Sequence, residues 1–166
     1  MDKELIPGEA APTQPDPVEL VRQGQAYYER GEWQPALDYI EQALSTCRLG
    51  EHPDGQPSRR IEAHALNLLG GLYYYRAGRQ KEAAGCYQQA LEISRQLADR
   101  PGEAKALFNL AGIYQAEGRY PEAKELLDRL VALDRELSSQ DLRSHLIVLG
   151  AVRKRLKRLG LAEGER

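Results

Sequence analysis

The chain has 166 residues, a formal net charge of −2 and 42% hydrophobic residues. A chain of this length suits one domain, which can bury about two-thirds of the surface that its unfolded form exposes. The nearly balanced charge gives no global attraction to nucleic acid or to anionic lipid, so we expect neither as a partner. The longest apolar run is far too short to span a membrane, so we expect no membrane-inserted segment.

The N-terminus and the cysteines indicate a location. The first 17 residues, MDKELIPGEAAPTQPDP, have neither a basic start nor an apolar core, so they do not resemble a secretory signal. The two cysteines, Cys47 and Cys86, are expected to be small buried or half-buried thiols in a reducing compartment, and a disulfide between them is the alternative. We therefore predict a cytoplasmic protein.

The first predicted elements are a tail and a pair of helices. Residues 1–16 are rich in Pro and Gly and show no helical period, which is typical of a disordered segment. Asp16 is then the predicted N-cap of a helix, because Pro17 suits the first helical position. This helix is predicted to end near Arg30, and its partner spans about 33–48.

Five further helices are predicted after a turn-rich loop at 49–57. They span about 58–77, 80–98, 102–117, 121–137 and 140–159. Ser58 is the expected cap of the first of them, and Ser139 with Asp141 opens the last. Residues 161–166 are expected to fray. The predicted domain at 17–160 therefore contains three helical hairpins, at 17–48, 58–98 and 101–137, and a capping helix.

One pattern of residues recurs in each hairpin. The first helix carries a small residue, a Tyr three positions on and a Gly four further, and the second helix carries an Ala with a large residue four positions on. The three copies are Gly24, Tyr27, Gly31, Ala36 and Ile40; Gly71, Tyr74, Gly78, Ala83 and Tyr87; and Ala111, Tyr114, Gly118, Ala123 and Leu127. The small residues permit close helix contact, the Tyr side chains are expected to pack in the core, and each Gly is expected to end its helix in the left-handed conformation.

This pattern resembles that of the tetratricopeptide repeat (TPR) family over about residues 17–137. Ala36 and Ala83 are 47 residues apart, and Ala83 and Ala123 are 40 apart, whereas the usual repeat has 34 residues. The chain is thus similar to the longer-helix (about 40-residue) subset of the family. The resemblance implies an all-α, right-handed superhelix in which the first helix of each pair lines a concave face.

A binding groove is predicted on that face. The middle first helix, LNLLGGLYYYRAG, is apolar on nearly all sides, so it presents apolar groups beyond those that its core face uses. We predict an apolar, Tyr-edged groove for a helix or an extended segment of a partner protein. Its expected lining is Val21, Gln25, Tyr28, Leu68, Leu72, Tyr75, Arg76, Lys105, Phe108 and Gln115. The alternative is that the chain's own tail or a second copy closes the groove.

One known use of the family is not expected here. Co-chaperone members bind a C-terminal carboxylate through Lys, Asn and Arg side chains on their first, third and fifth helices. The matching positions in this chain are Val21, Gln25, Leu69, Lys105 and Asn109. Only Lys105 agrees with that pattern, so binding of chaperone tails through such a clamp is not predicted.

The last helix combines an apolar stripe with a basic end. The stripe comprises Leu142, His145, Leu146, Leu149, Val152, Leu156 and Leu159, and the basic residues are Arg153, Lys154, Arg155, Lys157 and Arg158. The favoured interpretation is a cap on the third repeat, since cations are favourable near a helix C-terminus. The alternative is a basic patch for nucleic acid or acidic lipid, although no aromatic residue lies among the charges.

Catalysis has little support in the sequence. His52, His64 and His145 have no metal-ligand spacing, and there is no CxxC, HExxH, GxSxG or phosphate-binding glycine loop. We therefore predict neither enzyme activity nor a metal or other cofactor. The predicted function is that of an adaptor or scaffold that binds a protein segment. The alternatives are a self-associating structural module, and an accessory protein that binds nucleic acid or membrane through the last helix.

Overall fold

The computed structural model describes residues 15–49, 56–75 and 79–161, and within these ranges the secondary structure consists of seven α-helices. The helices are α1 (Pro17–Glu29), α2 (Trp33–Leu49), α3 (Gln56–Tyr75), α4 (Gln80–Gln96), α5 (Arg100–Ala116), α6 (Tyr120–Leu137) and α7 (Leu142–Arg158). These bounds lie within about two residues of the predicted ones, although the predicted end of α3 lies outside the described residues. None of the described helices is both long and apolar enough to cross a membrane.

The N-terminal ends of α1 and α3 show whether the N-caps predicted for these two helices are correct. The carboxylate of Asp16 accepts a hydrogen bond of 2.9 Å from the backbone N–H of Val18, which confirms the predicted N-cap of α1. The predicted cap at Ser58 is wrong, because α3 begins two residues earlier, at Gln56. The Ser58 hydroxyl instead donates a bond of 3.1 Å to the carbonyl of Cys47 and so ties α3 to the end of α2.

The helices form two layers. Each helix packs against the next one along the chain, and α1 also contacts α3, which in turn contacts α5. The helices α1, α3 and α5 therefore form an inner layer, and α2, α4 and α6 form an outer layer. This arrangement, in which each unit contacts mainly its neighbours, is an all-α helical repeat stack.

The second helix of each pair supplies the predicted core positions. Ala36, Ala83 and Ala123 have no exposed surface, and the large residues four positions later, such as Ile40, are also buried. A Cβ atom at Gly24 would lie 2.6 Å from Cδ1 of Ile40, so a larger residue there would force this buried side chain to move.

The glycines that end the first helices adopt the predicted backbone conformation where it is described. Gly31 and Gly118 both have a φ of 75°, in the left-handed region that side chains disfavour. Gly78, the predicted equivalent in the second hairpin, lies outside the described residues.

The second hairpin differs from the predicted register by one residue. A Cβ at Gly70 would lie 2.6 Å from the ring of Tyr87 in α4, whereas one at Gly71 would lie 2.7 Å from the hydroxyl of Tyr28 in α1. Gly70 is therefore the residue at which the two helices of this hairpin meet, and the prediction that Gly71 has that role is wrong. Because the two glycines are adjacent, the sequence allows either of them at the helix contact. The packing of α3 against α4 selects Gly70.

This shift also exchanges the roles of two tyrosines. Tyr73 is half-buried, with the guanidinium of Arg79 at 3.9 Å from its ring centroid, whereas Tyr74 is 40% exposed. The prediction that Tyr74 packs in the core is therefore wrong. In the other hairpins the predicted Tyr27 and Tyr114 are half-buried beneath arginine guanidinium groups, at 4.5 and 4.0 Å.

The two cysteines are buried free thiols. Desolvation by burial raises the pKa of the Cys86 thiol to about 11, so this thiol is protonated at neutral pH. A cytoplasmic location stays a prediction.

Candidate binding groove

The inner layer carries an open groove with a volume of about 370 Å³. The three helices of this layer contribute to its lining, together with Tyr87 of α4 and Val148 of α7. The lining residues are Tyr28, Gly71, Tyr74, Tyr75, Tyr87, Phe108, Asn109, Gly112, Ile113, Gln115 and Val148. We call this concavity the inner groove.

An aromatic cluster of Tyr28, Trp33, Tyr74 and Tyr75 lies at one end of the inner groove. The rings of Trp33 and Tyr75 are stacked, with centroids 5.6 Å apart and planes 19° apart. Tyr28 meets Trp33 edge-on at 5.6 Å, and Tyr74 meets Tyr75 edge-on at 5.7 Å. Trp33 and Tyr75 remain 45% and 65% exposed, so large apolar surfaces face solvent here.

Tyr28 is half-buried and is the least exposed residue of this cluster. Burial raises the pKa of its phenol to about 12, with a smaller contribution from the neighbouring Tyr75. The hydroxyl is therefore neutral at physiological pH and keeps a proton that it can donate. It lies against α3 at the position where Gly71 has no side chain.

Contacts between α5 and α7 lie at the opposite end of the inner groove. Phe108 is 41% exposed, and its ring centroid lies 4.8 Å from that of His145 in α7. Nδ1 of His145 lies 2.7 Å from Oδ2 of Asp134, a buried carboxylate in α6. These contacts connect α7 to both layers and place Val148 in the lining of the groove.

Four of the ten predicted groove residues lie in the lining: Tyr28, Tyr75, Phe108 and Gln115. Gln25 and Lys105 are described but do not line the inner groove. The side-chain amide of Gln25 donates a bond of 2.8 Å to Glu29. Burial lowers the pKa of Lys105, and Glu29 partly offsets that shift. Arg76 lies outside the described residues.

Three predicted groove residues are in the core instead. Val21, Leu68 and Leu72 are only 4%, 7% and 3% exposed, so the prediction that they point into an open groove is wrong. For Leu68 and Leu72 the physical reason is that α3 contacts α1, α2, α4 and α5, so almost every side of this helix is covered by protein, and Val21 lies in α1, which packs against α2 and α3. Its all-round apolar pattern reflects burial on several sides rather than an exposed apolar face.

Sequence reasoning missed Trp33, Tyr74 and Val148 as residues of this region. Trp33 follows the turn at Gly31 and starts α2, so it falls outside the helices that were expected to line the groove. Tyr74 was assigned to the core from its distance to Gly78. The spacing of Leu66, Leu69 and Tyr73 is the signal that could have corrected this register.

The last helix packs as a cap. Leu149, Val152 and Leu156 are buried, and α7 contacts α6, as the apolar stripe predicts. Leu146 and Leu159 of the same stripe are 40% and 47% exposed, so the prediction is wrong for these two residues. Arg153 donates a hydrogen bond of 2.6 Å to Asp128, and Arg155 lies 5.6 Å from the ring centroid of Tyr120. At least two of the basic side chains therefore interact with the protein's own α6.

Groups that could support metal chemistry do not converge in the described part of the chain. No set of three or more His, Cys, Asp or Glu side chains there could hold a metal ion. Burial and the nearby ammonium of Lys105 lower the pKa of His64, so its imidazole is neutral at physiological pH.

Three tetratricopeptide repeat models match the chain, at residues 19–54, 63–100 and 82–146. The chain belongs to the tetratricopeptide repeat family. A comparison with curated proteins gave no significant match. Repeats of this family generally mediate interactions between proteins, and the assignment to the longer-helix subset stays a prediction.

Proposed function

We propose that this TPR protein is a non-catalytic adaptor or scaffold whose inner groove binds one segment of a partner protein. The observation that carries the proposal is the aromatic cluster, because Trp33, Tyr74 and Tyr75 expose 45%, 40% and 65% of their surface beside a concave site. Large aromatic groups that are exposed next to a groove are typical of interaction surfaces.

The composition of the inner groove favours an apolar segment with a few polar contacts. Tyr and Trp side chains offer a large, stiff contact area together with a hydrogen-bonding tip. Asn109 and Gln115 add amide groups to a lining that is otherwise mainly apolar. A concave apolar surface with a small number of polar groups is the usual composition of a specific binding site.

The extent of the groove bounds the length of the bound segment. The lining extends from Tyr28 in α1, across α3 and α5, to Val148 in α7. Neighbouring packed helices are about 8–10 Å apart, so the part of the groove from α1 to α5 spans roughly 16–20 Å. This distance corresponds to about 5–6 residues of extended chain or about 11–13 residues of helix.

The experiment compares three forms of the full chain as affinity baits, with cross-linking and mass spectrometry of the captured segments. Tyr75→Glu introduces a charge into the aromatic cluster. Leu137→Glu is the control, because Leu137 is also an exposed apolar residue, 42% exposed at the end of α6, and it does not line the groove. We expect wild type and Leu137→Glu to cross-link the same apolar segments through α3 and α5, and Tyr75→Glu to lose them.

Circular dichroism verifies that each variant keeps the helical content of wild type. If Tyr75→Glu retains the same cross-linked segments with equal yield, the placement of the site in the inner groove is wrong. If all three forms capture nothing that cross-links to α3 or α5, the adaptor proposal itself fails.

A second candidate function is self-association through α7. Ile147 and Leu146 are 67% and 40% exposed on this helix, and no described helix covers that side of it. Sedimentation equilibrium over a range of concentrations distinguishes the two functions. A dimer that Ile147→Glu dissociates supports self-association, whereas a monomer at every concentration excludes it over that range.

A further inference from the structure

A buried carboxylate at the start of α5 lies among three arginines. The side chain of Glu103 is only 3% exposed, and its carboxylate oxygens accept hydrogen bonds from Arg95, Arg100 and Arg129 at 3.2, 3.2 and 3.3 Å. These residues belong to α4, α5 and α6, so the group bridges the second and third hairpins. We call Arg95, Arg100 and Arg129 the arginine cluster.

The positive charges of the arginine cluster outnumber the negative charge of Glu103. Arginine is always protonated in proteins, so the cluster carries three positive charges. Desolvation alone would raise the pKa of Glu103, but hydrogen bonds from Arg95 and Arg129 outweigh it and lower the pKa, so this carboxylate is ionised. The nearby Asp99 carboxylate lies 3.6 Å from Arg60 and is matched by that cation. Among the described residues, two positive charges of the cluster have no matching anion.

The cluster also has room for a ligand. It lines an open concavity of about 430 Å³ together with Ala98 and Glu103. The three arginine side chains are 47%, 46% and 42% exposed. Each guanidinium has five N–H donors, and within the described residues each donates a single hydrogen bond, to Glu103. The N-terminus of α5 adds a partial positive charge at the same place.

We propose that the arginine cluster binds a phosphoryl group, either of a phosphomonoester or of free phosphate. A phosphomonoester carries a charge of about −1.5 to −2 at neutral pH, which matches the surplus of two positive charges. Its three terminal oxygens can each accept hydrogen bonds from a different arginine, and guanidinium groups favour this planar, paired geometry. A single carboxylate would leave one charge unmatched. This site is separate from the inner groove and does not depend on the function proposed for it.

The test is a titration of the full chain with inorganic phosphate at constant ionic strength, observed by NMR of the arginine Nε–Hε groups. We expect saturable shifts at Arg95, Arg100 and Arg129, and none with chloride. Arg100→Gln should weaken binding at least tenfold. Arg119→Gln is the matched control, because Arg119 is also exposed and ion-paired but has two carboxylate partners, Glu117 and Glu122. Its affinity for phosphate should equal that of wild type.

A further variant is expected to increase the affinity for phosphate. Glu103→Gln removes the anion that competes for the same donors, so it should bind phosphate several-fold more tightly than wild type. If phosphate shifts the three arginines no more than chloride does, or if Arg119→Gln weakens binding as much as Arg100→Gln, the cluster only neutralises Glu103 and the proposal is wrong. These two results do not require Glu103→Gln to fold.

The source of the phosphoryl group follows from a comparison of probes. Inorganic phosphate, O-phosphoserine and a phosphoserine-containing peptide are titrated in the same way. Tighter binding of the peptide than of the other two indicates a phosphorylated protein as the ligand, and equal binding of all three indicates a small phosphate compound. Binding of the unphosphorylated peptide with equal affinity would contradict the proposal.

Discussion

Two helical glycines provide the sharpest test of the packing, because the same substitution should have opposite effects. Gly70 lies in α3 and Gly85 in α4, and replacing Gly by Ala inside a helix stabilises it by about 1 kcal/mol in the absence of contacts. A Cβ at Gly85 would meet nothing within 4 Å. We therefore expect Gly85→Ala to raise the free energy of unfolding by about 0.5–1 kcal/mol.

Gly70→Ala places a methyl group in occupied space. Its Cβ would lie 2.6–2.9 Å from three ring atoms of Tyr87, a side chain that is only 5% exposed. Overpacking of this kind costs about 1–3 kcal/mol, which equals or exceeds the gain in helix propensity. The net effect on the free energy of unfolding should thus lie between zero and a loss of about 2 kcal/mol.

Urea unfolding followed by circular dichroism measures both variants against wild type. A difference of about 0.5–3 kcal/mol in the free energy of unfolding is expected between them. Thermal unfolding of the same variants should show a shift in midpoint temperature of about 2–4 °C per kcal/mol. If Gly70→Ala stabilises the protein as much as Gly85→Ala does, then α3 and α4 do not approach at Gly70 and the register described above is wrong.

Three further predictions concern single side chains. Ala98 has a φ of 52°, so Ala98→Gly should stabilise the protein by about 0.5–1 kcal/mol in thermal unfolding, and a loss would contradict the left-handed turn. The pKa of Tyr28 is raised from 10.0 to about 12. Its contribution to stability is therefore complete below about pH 10 and lost as the pH rises toward 12, and Tyr28→Phe should reduce this alkaline loss in urea titrations. The raised pKa and burial of Cys86 predict slow reaction with Ellman's reagent at pH 8 and fast reaction in urea; equal rates would refute this.

The helices and the family were predictable because their signals are local or repeated. Asp16 and Pro17 define the start of α1 within a few residues of sequence. The Ala and Gly positions recur three times, so an error at any one of them does not obscure the pattern. The register of α3 was not predictable from these signals, since the adjacent Gly70 and Gly71 satisfy the requirement for a small residue equally well.

The lining of the groove was harder to predict because it depends on contacts between distant elements. Leu68 and Leu72 are buried because four other helices surround α3, and no local pattern gives the number of neighbours. Tyr75 was predicted to line the groove. Its stacking on Trp33 was not predicted, because the two residues are 42 positions apart in the sequence. Only the folded arrangement brings these two rings together.

The contact between Tyr28 and Gly71 has a consequence for the curvature of the stack. A stack of two layers bends toward the layer whose helices are closer together. The missing side chain at Gly71 lets Tyr28 of α1 approach the backbone of α3, which shortens the spacing of the inner layer at that point. A larger residue at this position would have to displace the Tyr28 ring or increase the distance between the two helices on the inner side. A residue with no side chain therefore allows the ring of Tyr28 to close the inner side of the stack between the first two hairpins.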